Sequence, residues 1–255
     1  MVKIACQTIT FGDERHVNNI EEILAAAAWA GYEGVEIGFR RVDPEKLDFY
    51  AELLKKNNLK LLALHMGGDF LDPESVKRQM ESIPAAVKMV KALGCSDIFI
   101  SGKRNLEKTK EEYAAEGKNY NELGRRLYED GVSLSYHNHD WEIINGCMGL
   151  DTLMENTDPK YMSFIPDVGW IVRGGGNPAE IIKKFYDRIQ NVHFKEFTAE
   201  NDFTELGRGI VDFKSVYEVM KPKGDFWIVS EQDKSTIGAE ESIKYNFEFI
   251  KNLIK

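Results

Sequence analysis

The chain has little cysteine: three residues in 255, Cys6, Cys95 and Cys147, odd in number and widely separated. That spacing frames neither a disulfide scaffold nor a zinc-ribbon site, and it fits a reducing, cytoplasmic setting. Basic charge is also short. The 33 Lys and Arg against 42 Asp and Glu give a formal net charge of -9, which argues against a general nucleic-acid binder or a membrane-surface protein. No apolar run is long enough to span a bilayer, and Met1–Gln7 has no apolar signal core, so neither an anchor nor a secretion signal is expected. There is no low-complexity stretch, no linker and no clear repeat. Histidine is scarce, with five residues, so their positions carry information.

The composition is that of a soluble globular chain, 43% hydrophobic and 29% charged. Apolar runs and alternations mark strands at Lys3–Thr10, Gly34–Phe39, Leu59–His65, Asp97–Gly102, Val132–Asp140, Met162–Asp167, Ile189–Phe197 and Phe226–Ser230. Helical segments lie between them. Asn19–Ala30 is closed by Gly31. A second helix follows Pro44 and ends at Asn57-Asn58. A long one runs from Asp72-Pro73 to Gly94, with Pro84 expected to kink or interrupt it. Thr109–Asp130, Leu150–Asn156, a helix after the Gly174–Pro178 loop, Asp212–Met220 and a closing helix through Ile250 complete the set. Strict strand–helix alternation implies a parallel sheet. Eight such units in one chain of this length predict a single-domain α/β fold over residues 1–255, a (β/α)₈ TIM barrel. An open doubly wound sheet is the runner-up. It is more at ease with fewer strands, and no Gly-x-Gly-x-x-Gly follows the first strand.

In a barrel, function sits where the strands end. The fifth strand runs from apolar Val132, Leu134 and Tyr136 into His137-Asn138-His139-Asp140-Trp141-Glu142. Alternation sends His137 and His139 to one side, Asn138 and Asp140 to the other. The other strand ends carry Glu36, His65, Asp167, the trio His193, Lys195 and Glu196, and finally Glu231 and Asp233. Buried carboxylates and imidazoles on neighbouring strands need partners, and a divalent cation is the simplest common one. Asp167, Glu231 and Glu142 with His193 form an oxygen-rich set suited to manganese, magnesium or cobalt, and it also admits zinc. A salt-bridged barrel mouth without an ion is the competing reading.

Together these stretches resemble the xylose isomerase-like barrels grouped as sugar phosphate isomerases/epimerases. The group includes ketose 3-epimerases, hydroxypyruvate isomerase, inosose isomerases and dehydratases and, more distantly, endonuclease IV. The segments that carry the likeness are Tyr136–Glu142, Asp167–Trp170, Val192–Glu196, Leu206–Asp212 and Ile228–Asp233. The resemblance implies Asp167, His193 and Glu231 as metal ligands. It leaves the fourth open among Glu142, preferred on charge, and His137 or His139. The family's epimerases carry Glu-Asn-His where His137-Asn138-His139 stands here, which leans toward lyases and dehydratases of keto-sugars or inososes. A neutral imidazole suits a proton beside a ketone, so His139 is the expected base, with His137 and Glu231 as catalytic partners. Lys195, His65, Glu36, Arg208, Trp141 and Trp170 would be substrate contacts. The expected activity is proton abstraction beside the carbonyl of a keto-sugar or related polyol. Isomerisation or epimerisation is the first reading, and β-elimination by a lyase or dehydratase is the alternative. An endonuclease IV-like phosphodiesterase and a non-catalytic sugar-binding barrel are remoter. The expected partner is a small sugar, with neither nucleic acid nor membrane; a homo-oligomer fits the family's habit.

Overall fold

The computed structural model describes residues 1–255. Its strands are β1 (Val2–Gln7), β2 (Gly34–Gly38), β3 (Lys60–Gly68), β4 (Asp97–Gly102), β5 (Ser133–His137), β6 (Ser163–Ile165), β7 (Val192–Phe194), β8 (Glu196–Phe197), β9 (Phe203–Thr204) and β10 (Phe226–Ser230). Eight of them form one parallel sheet in the order β6-β5-β4-β3-β2-β1-β10-β7, while β8 and β9 pair as a small antiparallel ribbon. Two bridges, Phe164 to Ile189 and Asp167 to His193, close the seam between β6 and β7. The sheet is therefore a barrel, as eight alternating units require. The surrounding helices are α1 (Gly12–Asn18), α2 (Ile20–Ala30), α3 (Leu47–Lys56), α4 (Pro73–Ala92), α5 (Lys110–Glu129), α6 (Ile144–Glu155), α7 (Val168–Arg173), α8 (Pro178–Lys184), α9 (Phe213–Met220) and α10 (Ala239–Leu253). No helix is long and apolar enough to cross a membrane.

Helix ends follow local chemistry. Asp72 caps α4 through the Ser75 amide, and Thr109 and Glu112 form a reciprocal capping box on α5. Gly31 ends α2 at φ 108°, a conformation that favours glycine. Pro84 does not interrupt α4, which runs unbroken past it. Ile83, Ala86, Val87 and Val90 are buried on that helix, and their packing outweighs one missing amide donor. Two short helices, α1 and α7, were not legible as periodic segments. The second exists because the Asp167 side chain accepts the Trp170 amide and starts a helix directly off β6.

The pleat sorts the barrel residues. Ile4, Cys6, Ile98, Ile100, Leu134, Tyr136, Val192, Phe194 and Ile228 join the large core between sheet and helices. Ala5, Leu62, Ala63, Phe99, Ile165 and Val229 make a separate apolar plug, the packed interior of a closed barrel. Two residues further along most strands, the same inward face presents Gln7, His65, Ser101, Asp167 and Glu231. A register shift between Val35 and Glu36 pairs Glu36 with Ala63. Such a bulge re-aims a side chain, and here it goes with Glu36 joining the polar layer above the plug.

Candidate active site at the barrel mouth

One ligand atom each from His137, Asp167, His193 and Glu231 lies within 4.8 Å of the other three, and all four side chains are buried. His137 Nε2 is 3.4 Å from both Asp167 Oδ2 and Glu231 Oε2, and His193 Nδ1 is 2.7 Å from Glu231 Oε2. Both ring nitrogens of His137 and Asp167 Oδ2 are buried without a hydrogen-bond partner. Orphaned buried atoms of this kind carry a desolvation cost until something satisfies them. Two imidazoles and two carboxylates converging this closely fit a divalent cation.

Three of the expected ligands, Asp167, His193 and Glu231, are therefore brought together. Glu142 is not in this cluster, whose fourth member is His137, one of the two alternatives to it. The Glu142 carboxylate accepts the Tyr136 hydroxyl at 2.9 Å and the His139 amide at 2.7 Å, so it brackets the turn that follows β5. Burial pushes its pKa up to about 8. The preference for Glu142 rested on charge, and a carboxylate just past the strand end falls outside the inward-facing alternation.

The pattern around the cluster is ionic. Burial opposes charge on His193, but Glu36 and Glu231 prevail and hold the imidazole at about 10. Glu36 is itself fully buried, and burial would raise it, yet His193 and His65 bring it down to about 2. Its Oε2 comes within 2.9 Å of His193 Nε2, out of line for a hydrogen bond, and its Oε1 contacts His65 Nδ1 at 2.7 Å. With the proton on Nδ1, His65 Nε2 accepts the Ser101 hydroxyl at 3.0 Å. Glu36 is thus a fully buried brace for two imidazoles and does not line the open cleft. Lys195 is equally enclosed: its ammonium reaches Glu231 at 2.9 Å and Asp233 at 2.6 Å. Burial disfavours that charge, and the carboxylates of Glu231, Asp233 and Asp167 hold it well above the ordinary lysine value.

His139 behaves differently. Burial, then the nearby His137 and Lys195, push its pKa well below the usual imidazole value, so the ring is neutral. Trp141 stacks on it at 4.1 Å with planes 7° apart, and Trp170 lies 5.1 Å away. Both indoles are buried against His139 and do not line the open cleft. Arg208 is also elsewhere, bridging Glu205 at 3.3 Å and lying over the Tyr245 ring. Glu196 organises the loop that carries Arg208, accepting the amides of Gly207, Ile210 and Val211. Asn138, turned opposite to its histidine neighbours as the alternation requires, accepts the Asp167 amide and ties β5 to β6.

A cleft of about 880 Å³ opens over this floor. His65, Ser101, His137, His139, Glu231 and Asp233 line its inner end. Ser101 was missed as a site residue, although it lies at a strand end, and Asp233 was read at its strand end but given no role. Burial raises the Asp233 carboxyl above its ordinary value against the pull of Lys195.

The fold is shared with known proteins. The profile of the family described as xylose isomerase-like TIM barrel matches residues 24–253. An inosose dehydratase of Lactiplantibacillus plantarum is 26% identical over 269 residues, covering 92% of this chain and 88% of its own. One from Geobacillus thermodenitrificans is also 26% identical, covering 84% and 82%. Among solved structures, a sugar phosphate isomerase/epimerase of Parabacteroides distasonis superposes with a TM-score of 0.84 at 19% identity, covering 99% of this chain and all of that one. The IolI protein with a binding zinc atom superposes at 0.80 and 17%, covering 99% and 98%. With a family profile spanning nearly the whole chain and a closed eight-stranded barrel, the protein belongs to the xylose isomerase-like TIM barrel family.

Proposed function

We propose that the barrel mouth is a metal-dependent active site that removes a proton next to the carbonyl of a keto-sugar or inosose. The observation that carries this reading is the buried His137, Asp167, His193 and Glu231 cluster at the floor of a cleft that a neutral His139 also lines. A divalent cation held by those four residues would supply Lewis acidity toward vicinal substrate oxygens and the charge of an enediolate. The set is richer in nitrogen than the one expected from the sequence, which favours manganese, cobalt or zinc over magnesium. A relative of this fold binds zinc.

His139 is the base: its ring is uncharged, its plane is fixed by Trp141, and it lines the cleft. Asp233 also lines the cleft, and its raised pKa suits it to hand a proton to a departing hydroxyl. Abstraction of the α-proton by His139 and protonation of the β-hydroxyl by Asp233 would release water and leave an enone. Dehydration is therefore the preferred outcome. A two-sided epimerase would want a second base where His137 is instead drawn into the cluster, and the curated relatives cited above are inosose dehydratases. Isomerisation is the second reading and shares the first step, with His139 returning its proton to the neighbouring carbon. The test is incubation of inososes and keto-sugars in heavy water with manganese-, cobalt- or zinc-loaded enzyme, beside His139→Gln. A conjugated enone lost in the variant supports dehydration; deuterium in recovered sugar supports isomerisation. Neither signal with any ion would refute the proposal.

A further inference from the structure

The cleft extends well beyond its catalytic floor, and its outer end is built differently. There it is lined by Arg40 and Arg41 from the turn after β2, by Ser75, Arg78, Gln79 and Ser82 on α4, and by Asp13 on α1. Three guanidinium groups lining one cleft stand out in a chain of net charge -9. Only one of them is well neutralised: Arg41 pairs with Asp13 at 2.6 Å. Arg78 has a single loose partner, Asp72, at 3.8 Å. Arg40 is exposed and makes no ion pair. At the inner end the Lys195 ammonium already lies against Glu231, at 2.9 Å, and beside Asp233. The field along the cleft thus runs from a compensated floor to a positive rim.

We infer that Arg40 and Arg78, backed by Arg41, form a subsite for an oxyanion carried at the end of the substrate remote from the reacting carbonyl. The inference rests on the sugar reading given above and narrows it to anionic keto-sugars or keto-polyols. Guanidinium forks match phosphate and carboxylate oxygens in paired hydrogen bonds. A positive wall in an otherwise acidic protein draws such a ligand inward while the rest of the surface repels it. Gln79 and Ser82, on the same helix as Arg78, supply neutral hydrogen-bonding groups beside it.

The test compares three ligands of one carbon skeleton on the manganese-loaded protein: D-fructose, D-fructose 6-phosphate and D-fructuronate. Binding is measured by calorimetry for the native chain and for the Arg40→Ala/Arg78→Ala double variant, whose exposed positions should leave the melting temperature unchanged. The expected result is an anion binding about 10- to 100-fold more tightly than fructose. That ratio should fall toward one in the double variant and shrink in the native protein as salt rises. Preference for the phosphate or for the carboxylate identifies which oxyanion the subsite takes. Equal affinities in the native protein would overturn the inference while leaving the sugar reading standing. So would an anion preference that survives in the double variant, because the anion would then sit on the cation at the floor. Failure of all three ligands, and of inosose, to bind would overturn the sugar reading and this inference with it.

Discussion

Glu142→Gln separates a structural carboxyl from a metal-binding one. In the folded chain this group titrates at about 8 against a reference of 4.5, because burial outweighs its contacts with the His139 amide and the Tyr136 hydroxyl. The pKa is raised on folding, so the folded chain holds a proton that the unfolded chain releases above pH 4.5. Stability from this group is intact below pH 4.5 and is lost as pH rises toward 8. At 1.36 kcal/mol per unit, the cost to the native protein reaches about 3 kcal/mol at pH 7 and about 5 kcal/mol above pH 8. Glutamine reproduces the protonated side chain: its carbonyl accepts from His139 and its amide donates to Tyr136. The variant should therefore match the native protein near pH 4.5 and exceed it increasingly above, by up to about 1.4 kcal/mol per pH unit between 5 and 8. Urea melts at pH 5, 6, 7 and 8 measure the difference directly. A flat difference, or a native protein that gains on the variant as pH rises, would mean that the carboxylate is ionised and bound to a cation, and the argument would be wrong.

Three other outcomes are expected. Without an ion His193 holds its proton up to about 10, so binding a cation at its Nδ1 must displace that proton. The His137 imidazole is raised as well, by Asp167 and Glu231 against burial, so calorimetry in buffers of differing ionisation enthalpy should show between one and two protons released per ion near pH 7, with affinity rising at least about tenfold per pH unit; affinity independent of pH would contradict this. Glu36→Gln removes the carboxylate that contacts His193 Nε2 and should weaken metal binding by about 10- to 100-fold with little change in fold, read by competition with a fluorescent chelator. Gly169→Ala would drive a methyl group into the Lys195 backbone carbonyl and should cost about 1–3 kcal/mol in a urea melt; a neutral result would show that α7 can move away from β7.

Most of the site was legible because the barrel's geometry is periodic. Once strands are placed, the pleat puts His65 two residues beyond Ala63, Asp167 two beyond Ile165 and Glu231 two beyond Val229. The same rule paired His137 with His139 and turned Asn138 away, and it would have named Ser101 two beyond Phe99. It fails where the chain leaves the strand. Glu142 lies in a 3-10 turn, where charge says nothing about direction. Trp141 and Trp170 pack behind His139, a relation fixed by tertiary contact alone. Arg208 sits in a loop whose path is set by amides bound to Glu196. Glu36 was legible as a strand-end carboxylate, but its burial beneath two imidazoles was not. Arg40 and Arg78 lie outside the strands, so no strand-end signal marked them. Pro84 shows the opposite limit: a strong local breaker was overridden by the buried face of α4.

The central claim is that His137, Asp167, His193 and Glu231 hold one divalent ion while Glu142 does not. Elemental mass spectrometry on the purified native protein, beside Asp167→Ala, His193→Ala and Glu142→Gln, tests it most directly. The account predicts about one ion per chain in the native protein and in Glu142→Gln, and none in the other two variants. No ion in the native chain after exposure to manganese, cobalt and zinc, or an ion that survives His193→Ala and is lost in Glu142→Gln, would contradict it.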